Sequence, residues 1–235
     1  MRGLIIIPTY NERDNIIQLI DDIFSRSFSN AELDILVIDD NSPDGTGNLI
    51  EKNQALNHHL YLIQREKKLG LASAYIAGFK FGLSQDYNVF FEMDADYSHN
   101  PNYLQDFLVT IRDFDVVIGS RYIPQGGVEN WRWLRRLISK GGNIYARWLL
   151  GTSIHDITSG FRCFRRKVLE QINLDKIKSE GYVFHIEMAY LAYIQGFSIA
   201  EIPIVFKERM KGKSKISRKI LFEALYKIPW IRLTR

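Results

Sequence analysis

Cysteine is nearly absent from this 235-residue chain: Cys163 stands alone, so no disulfide can form within it. The thiol sits in Phe161-Arg162-Cys163-Phe164, a setting that predicts burial, and such usage fits a reducing cytoplasm. Long apolar runs are missing as well. The longest stretch without a charged residue, 188–200, is interrupted by Gln195, Gly196 and Ser198, whereas a membrane-spanning helix needs about twenty apolar residues. The first residues lead directly into a strand-like run, so no signal peptide is expected. The turn after that run, Pro8-Thr9-Tyr10-Asn11-Glu12, has no glycine, which argues against the Gly-x-Gly-x-x-Gly of a dinucleotide-binding oxidoreductase. His99, His155 and His185 keep no spacing that suggests a zinc site or a nucleophile, so loop or packing roles are expected of them. Internal repeats and low-complexity segments are absent too.

What is present suffices for one large domain. The chain is 46% hydrophobic, ample for a core, and its 25% charged residues are ordinary for a soluble protein. Net charge is only +4, but it is unevenly placed. From Lys207 onward there are ten Lys or Arg against Glu208 and Glu223, while the acidic motifs lie in the first hundred residues. A basic segment of this kind suits an anionic lipid surface or a phosphate-bearing substrate, and is also an ordinary solvated face. The acidic first half gives no support to a nucleic-acid role.

Three apolar runs end in acidic, turn-rich loops. Leu4-Ile5-Ile6-Ile7 leads into residues 8–12, Leu33–Ile38 leads into Asp39-Asp40-Asn41-Ser42-Pro43-Asp44-Gly45-Thr46, and Val89-Phe90-Phe91 leads into Asp94-Ala95-Asp96. Short apolar runs bounded by turn residues read as buried parallel strands. Strands are expected near 3–7, 33–38, 59–64, 88–92 and 114–118, with amphipathic helices near 13–26, 44–54 and 69–84. This alternation predicts an α/β fold, a mostly parallel Rossmann-like sheet flanked by helices. Ligands in such sheets bind beyond the carboxyl ends of the strands, so the three loops can converge on one ligand. Two nearby carboxylates repel unless a cation lies between them. Asp94 and Asp96 are therefore the expected holders of Mg²⁺ or Mn²⁺ on a ligand's phosphate oxygens, although an Asp-x-Asp can also simply end a strand and start a turn.

Downstream, Gly119-Ser120-Arg121 closes the fifth strand and 122–130 reads as a loop. Residues 131–150 read as a helix with Leu134, Leu137, Ile138, Ile144, Tyr145, Trp148 and Leu149 at helical spacing. A helix is expected at 183–195, a strand at 197–206, and an apolar helical stripe at 216–228. Trp131, Trp133, Tyr145 and Trp148 alternate with Arg132, Arg135, Arg136, Lys140 and Arg147, a mixture suited to a membrane headgroup zone or to an amphipathic helix packed on the core. The 216–230 stretch, ending in Trp230, invites the same two readings.

With these motifs the chain resembles the family 2 inverting glycosyltransferases, and among them the dolichyl-phosphate (polyprenyl-phosphate) mannose synthases. The resemblance runs over nearly the whole length. It rests on residues 8–12, 39–46, Gly70-Leu71-Ala72-Ser73-Ala74, 94–99 and 119–121, then on Thr158-Ser159-Gly160-Phe161-Arg162, Gly181–Met188 and Phe206–Lys215. It implies a GT-A-like single domain, with 1–118 as the nucleotide-sugar half and 119–235 as the acceptor half. It implies a guanosine nucleotide on Pro8, Tyr10, Glu12, Ile38, Asp39, Asp40, Gly70, Ala72, Asp94 and Ala95, with Asp94 and Asp96 on the metal. The family often has glutamine where Ser98 stands.

The implied reaction is mannose transfer from GDP-mannose to a polyprenyl phosphate, with inversion. A phosphate monoester is already largely ionised at neutral pH, so no protein base is required. Cations are, and Arg121, Arg209 and Lys215 are the candidates beside Asp96, with Arg135, Asp156 and Ser159 on the acceptor side. A UDP-glucose or other nucleotide-sugar donor is the nearest alternative, and a non-catalytic membrane-associated subunit a remote one. The lipid acceptor implies a protein held peripherally on the cytoplasmic face of a membrane, with a membrane-anchoring partner protein as a possible aid.

Overall fold

The computed structural model describes residues 1–207 and 218–235, the side chains of 218–224 excepted. Its centre is a seven-stranded sheet of β1 (Arg2–Thr9), β2 (Glu32–Asp39), β3 (Leu60–Gln64), β4 (Val89–Glu92), β5 (Val116–Ser120), β7 (Arg162–Arg165) and β8 (Ile199–Pro203), in the order β3-β2-β1-β4-β7-β5-β8. β7 runs antiparallel to both neighbours; the other pairings are parallel. A two-stranded parallel ribbon joins β6 (Gly127–Val128) to β9 (Val205–Phe206).

The pleat divides the core in two. Leu4, Ile6, Leu36 and Ile38 point to one face and Ile5, Ile7, Ile35 and Val37 to the other. On the second face lie α1 (Arg13–Phe24), α4 (Leu104–Thr110) and Ile50 of α2 (Thr46–Gln54). On the first lie α3 (Leu71–Leu83), α5 (Trp133–Leu150), α6 (Arg166–Gln171), α7 (Gly181–Ile194) and α8 (Arg218–Thr234). Among the described residues no helix is long and apolar enough to cross a membrane.

The strands read from the sequence are found with shifts of about two residues at their ends. Three differences matter. β7 is a strand that periodicity did not reveal. The expected strand at 197–206 is two, because the chain breaks at Ile204 and its halves pair with different partners, β5 and β6. The expected loop 122–130 includes β6, paired with β9. Cys163 lies in β7 and is buried.

Local chemistry sets where the helices start. The Asp44 carboxylate accepts from the Thr46 amide at 2.9 Å and its hydroxyl at 2.6 Å, satisfying one amide of the first turn of α2. α3 begins after Gly70, whose φ of +94° is open to glycine. The same helix approaches the sheet closely through Gly78 and Gly82: a Cβ on Gly78 would stand 2.5 Å from Ile6 Cγ2. Gly78→Ala is therefore expected to lower stability by about 1–3 kcal/mol through overpacking, despite alanine's better helix propensity. Urea denaturation checks this; an unchanged midpoint would show that the sheet yields at no cost.

Candidate functional site

Parallel register brings the predicted loops together. Thr9 faces Asp39 across β1 and β2, Pro8 faces Ile38, and Ile6 faces Glu92 across β1 and β4. Asp39 is fully buried and holds its own turn. It accepts from the Thr9 hydroxyl at 3.0 Å, the Ser42 amide at 3.0 Å and the Ser42 hydroxyl at 2.5 Å. Asp40 forms an ion pair with Arg65 and accepts from the Gly70 amide at 2.9 Å, tying the loop before α3 to β2. Ile38 and Ala72 are buried in the same core beneath this edge. Tyr10 is half-buried, with the Lys68 ammonium 3.6 Å from its ring centre. Glu12 accepts from the Asn15 side-chain amide at 3.0 Å at the start of α1.

Asp94, Ala95 and Asp96 follow directly on β4. The Asp94 side chain is 33% exposed, whereas Asp96 is buried and accepts from the Ser98 amide at 3.1 Å and hydroxyl at 2.5 Å. His99 Nδ1 accepts from the Asp94 amide at 2.9 Å, and the ring stacks on Phe161 at 4.9 Å. Burial pulls the His99 pKa down to about 3, so the ring is a neutral acceptor at physiological pH. The donor set fits a hard divalent cation: two carboxylates, oxygen only, one of them open to solvent. Among the described residues no group of three or more His, Cys, Asp or Glu side chains is arranged to hold a metal. An ion here would fill its remaining positions with ligand oxygens and water.

β7 delivers the opposite side. Its antiparallel course lands residues 156–161 at the carboxyl edge, beside the end of β5. Arg121 meets Asp156 in a fork: Nε to Oδ2 at 2.6 Å and Nη2 to Oδ1 at 2.7 Å, with the Arg121 amide also donating to Oδ2 at 3.0 Å. Both side chains are buried. Burial disfavours charge on each, but the mutual attraction and hydrogen bonds outweigh it. They raise the Arg121 pKa above its ordinary value and hold Asp156 below the usual carboxylate range. Arg121 Nη2 also donates to the Thr158 hydroxyl at 2.9 Å, and the guanidinium lies 5.5 Å from the Trp131 ring. Ser159 is buried, its carbonyl accepting from Arg162 Nε at 2.7 Å. The Arg135 guanidinium lies 4.0 Å over the Trp131 ring. Beside Arg121 opens a cavity of about 540 Å³, lined also by Tyr122, Val128, Trp133, Arg136, Leu137 and Lys140. Arg209 and Lys215 lie outside the described residues.

Several side chains that support this edge were not singled out from the sequence. Arg162, fully buried, donates to the carbonyls of Ser159, Ile157 (2.6 Å) and His185, locking the 156–160 loop to α7. Glu92, also fully buried, meets His185 Nδ1 at 3.0 Å. Glu201 accepts from the amides of His155 and Asp156, at 2.9 and 2.8 Å, and thereby fixes the loop that presents Asp156. The available signals were weak: an acid at the end of an apolar run, an arginine beside a phenylalanine.

Residues 4–173 match Glycosyl transferase family 2. The chain belongs to that family. Over 97% of its length it is 45% identical to polyprenol monophosphomannose synthase of Mycolicibacterium smegmatis, covering 85% of that protein. It is 42% identical to undecaprenyl-phosphate mannosyltransferase of Micrococcus luteus, again over 97% of the chain and 93% of the relative. Among solved structures it is similar to glucosyl-3-phosphoglycerate synthase of Mycobacterium tuberculosis in complex with Mn²⁺, UDP-glucose and phosphoglyceric acid. There the TM-score is 0.66 at 16% identity, over 99% of this chain and 79% of that one. A mannosyltransferase of Pyrobaculum calidifontis in complex with GDP-Man and Mn²⁺ gives 0.61 at 17% identity, over 99% and 72%. These likenesses establish the GT-A fold, and the family 2 membership makes this chain a glycosyltransferase.

In this family 2 enzyme the Arg121–Asp156 fork can be tested by breaking it. Asp156→Ala leaves a buried unpaired guanidinium and is expected to cost about 3–5 kcal/mol in denaturant unfolding at neutral pH, while Arg121→Met with Asp156→Leu recovers most of that. Because the Asp156 pKa is depressed on folding, its contribution is in place above the unfolded value of about 3.9 and is lost as pH falls below it. The gap between wild type and Asp156→Ala should therefore narrow below about pH 4.

Proposed function

We propose that this glycosyltransferase moves mannose from GDP-mannose to a polyprenyl (dolichyl-type) phosphate in a single displacement with inversion. The observation that carries the reading is the pairing, along one sheet edge, of the Asp94–Asp96 loop with a basic, apolar-walled cavity at Arg121. The two relatives named for mannosyl transfer to polyprenyl phosphates match almost the full chain, which favours the same donor sugar and acceptor class.

In this reading Pro8, Tyr10, Glu12, Ile38, Asp39, Asp40, Gly70, Ala72, Asp94 and Ala95 surround the nucleotide. The base meets Tyr10, whose ring carries the Lys68 ammonium at 3.6 Å. Asp94 and Asp96 would hold Mg²⁺ or Mn²⁺. When bound, the cation offsets the charge that develops on the departing diphosphate. Asp96 is fixed for that task by its two bonds from Ser98. The acceptor phosphate enters through the cavity and is drawn to Arg121, Arg135 and the partly aliphatic, partly cationic wall of Arg136, Leu137 and Lys140. Asp156 and Ser159 act on the acceptor side by orienting Arg121 and its loop. Arg209 and Lys215 add cationic charge to the two phosphate groups. Attack comes from an acceptor oxygen that is already anionic, so no side chain has to remove a proton.

Two outcomes follow. Asp96→Asn is expected to lower transfer from GDP-mannose by roughly 10²-fold, as does chelation of divalent metal, with the fold retained by circular dichroism. The rate at low acceptor concentration should rise through about pH 6, as the lipid phosphate loses its second proton, and then stay level to pH 8. An ascending limb whose midpoint follows a protein histidine or carboxylate rather than the lipid phosphate, or an Asp96→Asn variant as active as wild type, would overturn this mechanism.

A further inference from the structure

The inner side of α5 holds little apolar bulk. Its buried residues are Asn143, Ala146 and Leu150, with Tyr145 and Leu149 only partly covered. Yet this helix supplies half the wall of the Arg121 cavity, through Trp133, Arg136, Leu137 and Lys140. A wall seated on so few apolar contacts is placed largely by its polar bonds. The Tyr122 hydroxyl donates to the Ser139 hydroxyl at 2.7 Å. One turn further on, the buried Asn143 bonds Thr158 in both directions. Its Oδ1 accepts from the Thr158 amide at 3.2 Å, and its Nδ2 donates to the Thr158 hydroxyl at 3.0 Å. Nδ2 also donates to the Ser139 carbonyl at 3.0 Å, so both hydrogens of the side-chain amide are used. Thr158 is a junction of its own. A hydroxyl has one hydrogen to give and two acceptor sites. This one donates to Asp156 Oδ1 at 3.2 Å and accepts from Asn143 Nδ2 and, at 2.9 Å, from Arg121 Nη2.

We propose that Asn143 is a positioning residue for the acceptor: through Thr158 it sets the Arg121 guanidinium and the placement of the cationic α5 wall opposite it. How well a phosphate monoester is held between them then depends on a side chain that does not touch it. The inference rests on the reading of the Arg121 cavity as the acceptor site. Asparagine is a weak helix former and costly to bury unless bonded, so a purely packing position would favour an apolar residue. Here every bond that its side chain makes outside α5 goes to Thr158. Arg136, Ser139, Lys140 and Asn143 recur at i, i+3, i+4 and i+7, one stripe of the helix. Holding Asn143 therefore fixes the rotation at which Arg136 and Lys140 are presented to the cavity. The Arg121–Asp156 fork sits on the other side of the same hydroxyl, and in a shared network of this kind the loss of one member disturbs the rest.

The test is calorimetric titration of the full chain with farnesyl phosphate, no sugar donor being present, and in parallel with GDP and Mn²⁺. Asn143→Ala and Thr158→Val are each expected to weaken farnesyl phosphate binding about tenfold, and the double variant no further, because both cut the same link. Thr158→Ser, which keeps the hydroxyl, should bind as wild type does. GDP affinity should stay within about twofold throughout, and in the transfer assay the acceptor KM should rise while the donor KM and kcat hold. If Asn143→Ala does not fold, Thr158→Val against Thr158→Ser carries the same decision. Unchanged farnesyl phosphate binding by Asn143→Ala or Thr158→Val would overturn the proposal. So would a parallel loss of GDP binding, which marks general damage, and so would wild type that binds no farnesyl phosphate. The titration needs no sugar transfer: the expected pattern in a protein that transfers only from UDP-glucose would uphold the role of Asn143 while the proposed donor fails.

Discussion

The insertion of β7 between β4 and β5 is the constraint on which the site depends. Without it the two parallel strands would be neighbours and the edge would carry only strand-end loops of the first half. With it, an antiparallel strand from the second half brings residues 156–161 to the edge, directly beside Asp94–His99. His99 stacked on Phe161 is the contact between them, and a Cβ on Gly160 would stand 3.1 Å from His185 Nε2, so glycine is what allows the loop to lie this low. The two halves of the chain thus meet in a single sheet.

That arrangement buries charge, and the buried charges are arranged by sign. Glu92 has Arg162 nearby and a hydrogen bond with His185, Asp156 is matched by Arg121, and Glu187 by Arg235, just past the end of α8. Each bond joins elements distant in sequence, so each also fixes geometry; buried pairs of this kind specify arrangement more than they add stability. Arg162 is the extreme case: its guanidinium binds backbone carbonyls of the 156–160 loop and of α7. At the same edge the Asp94 side chain is 33% exposed, and Arg136 and Lys140 line the open cavity.

The first half was legible because its strands are continuous apolar runs closed by turn residues, a pattern that periodicity and turn chemistry both register. β7 was not, since Arg162-Cys163-Phe164-Arg165 is a four-residue strand with arginine at both ends, and its burial depends on carbonyl partners that only the fold supplies. Glu92 read as the end of a run; its partner His185 lies 93 residues away. The helix at 131–150 was legible, and its apolar spacing evident. Which side faced the core was not, because an amphipathic pattern fixes a face without saying what covers it, and here the core takes Asn143 and Ala146. The carboxylate pair at Asp94 and Asp96 and the cation at Arg121 were read from the sequence. The fork with Asp156 that orients Arg121, and Glu201 behind it, required the structure.

Transfer of mannose to a lipid phosphate is decided most directly by the identity of the donor. The direct measurement incubates the purified protein with a polyprenyl phosphate, a divalent metal and labelled GDP-mannose or UDP-glucose in parallel, and counts label entering the organic phase. Label is expected from GDP-mannose, and is expected to be lost with EDTA. Label from UDP-glucose alone, or from GDP-mannose in undiminished amount without a divalent metal, would contradict this expectation.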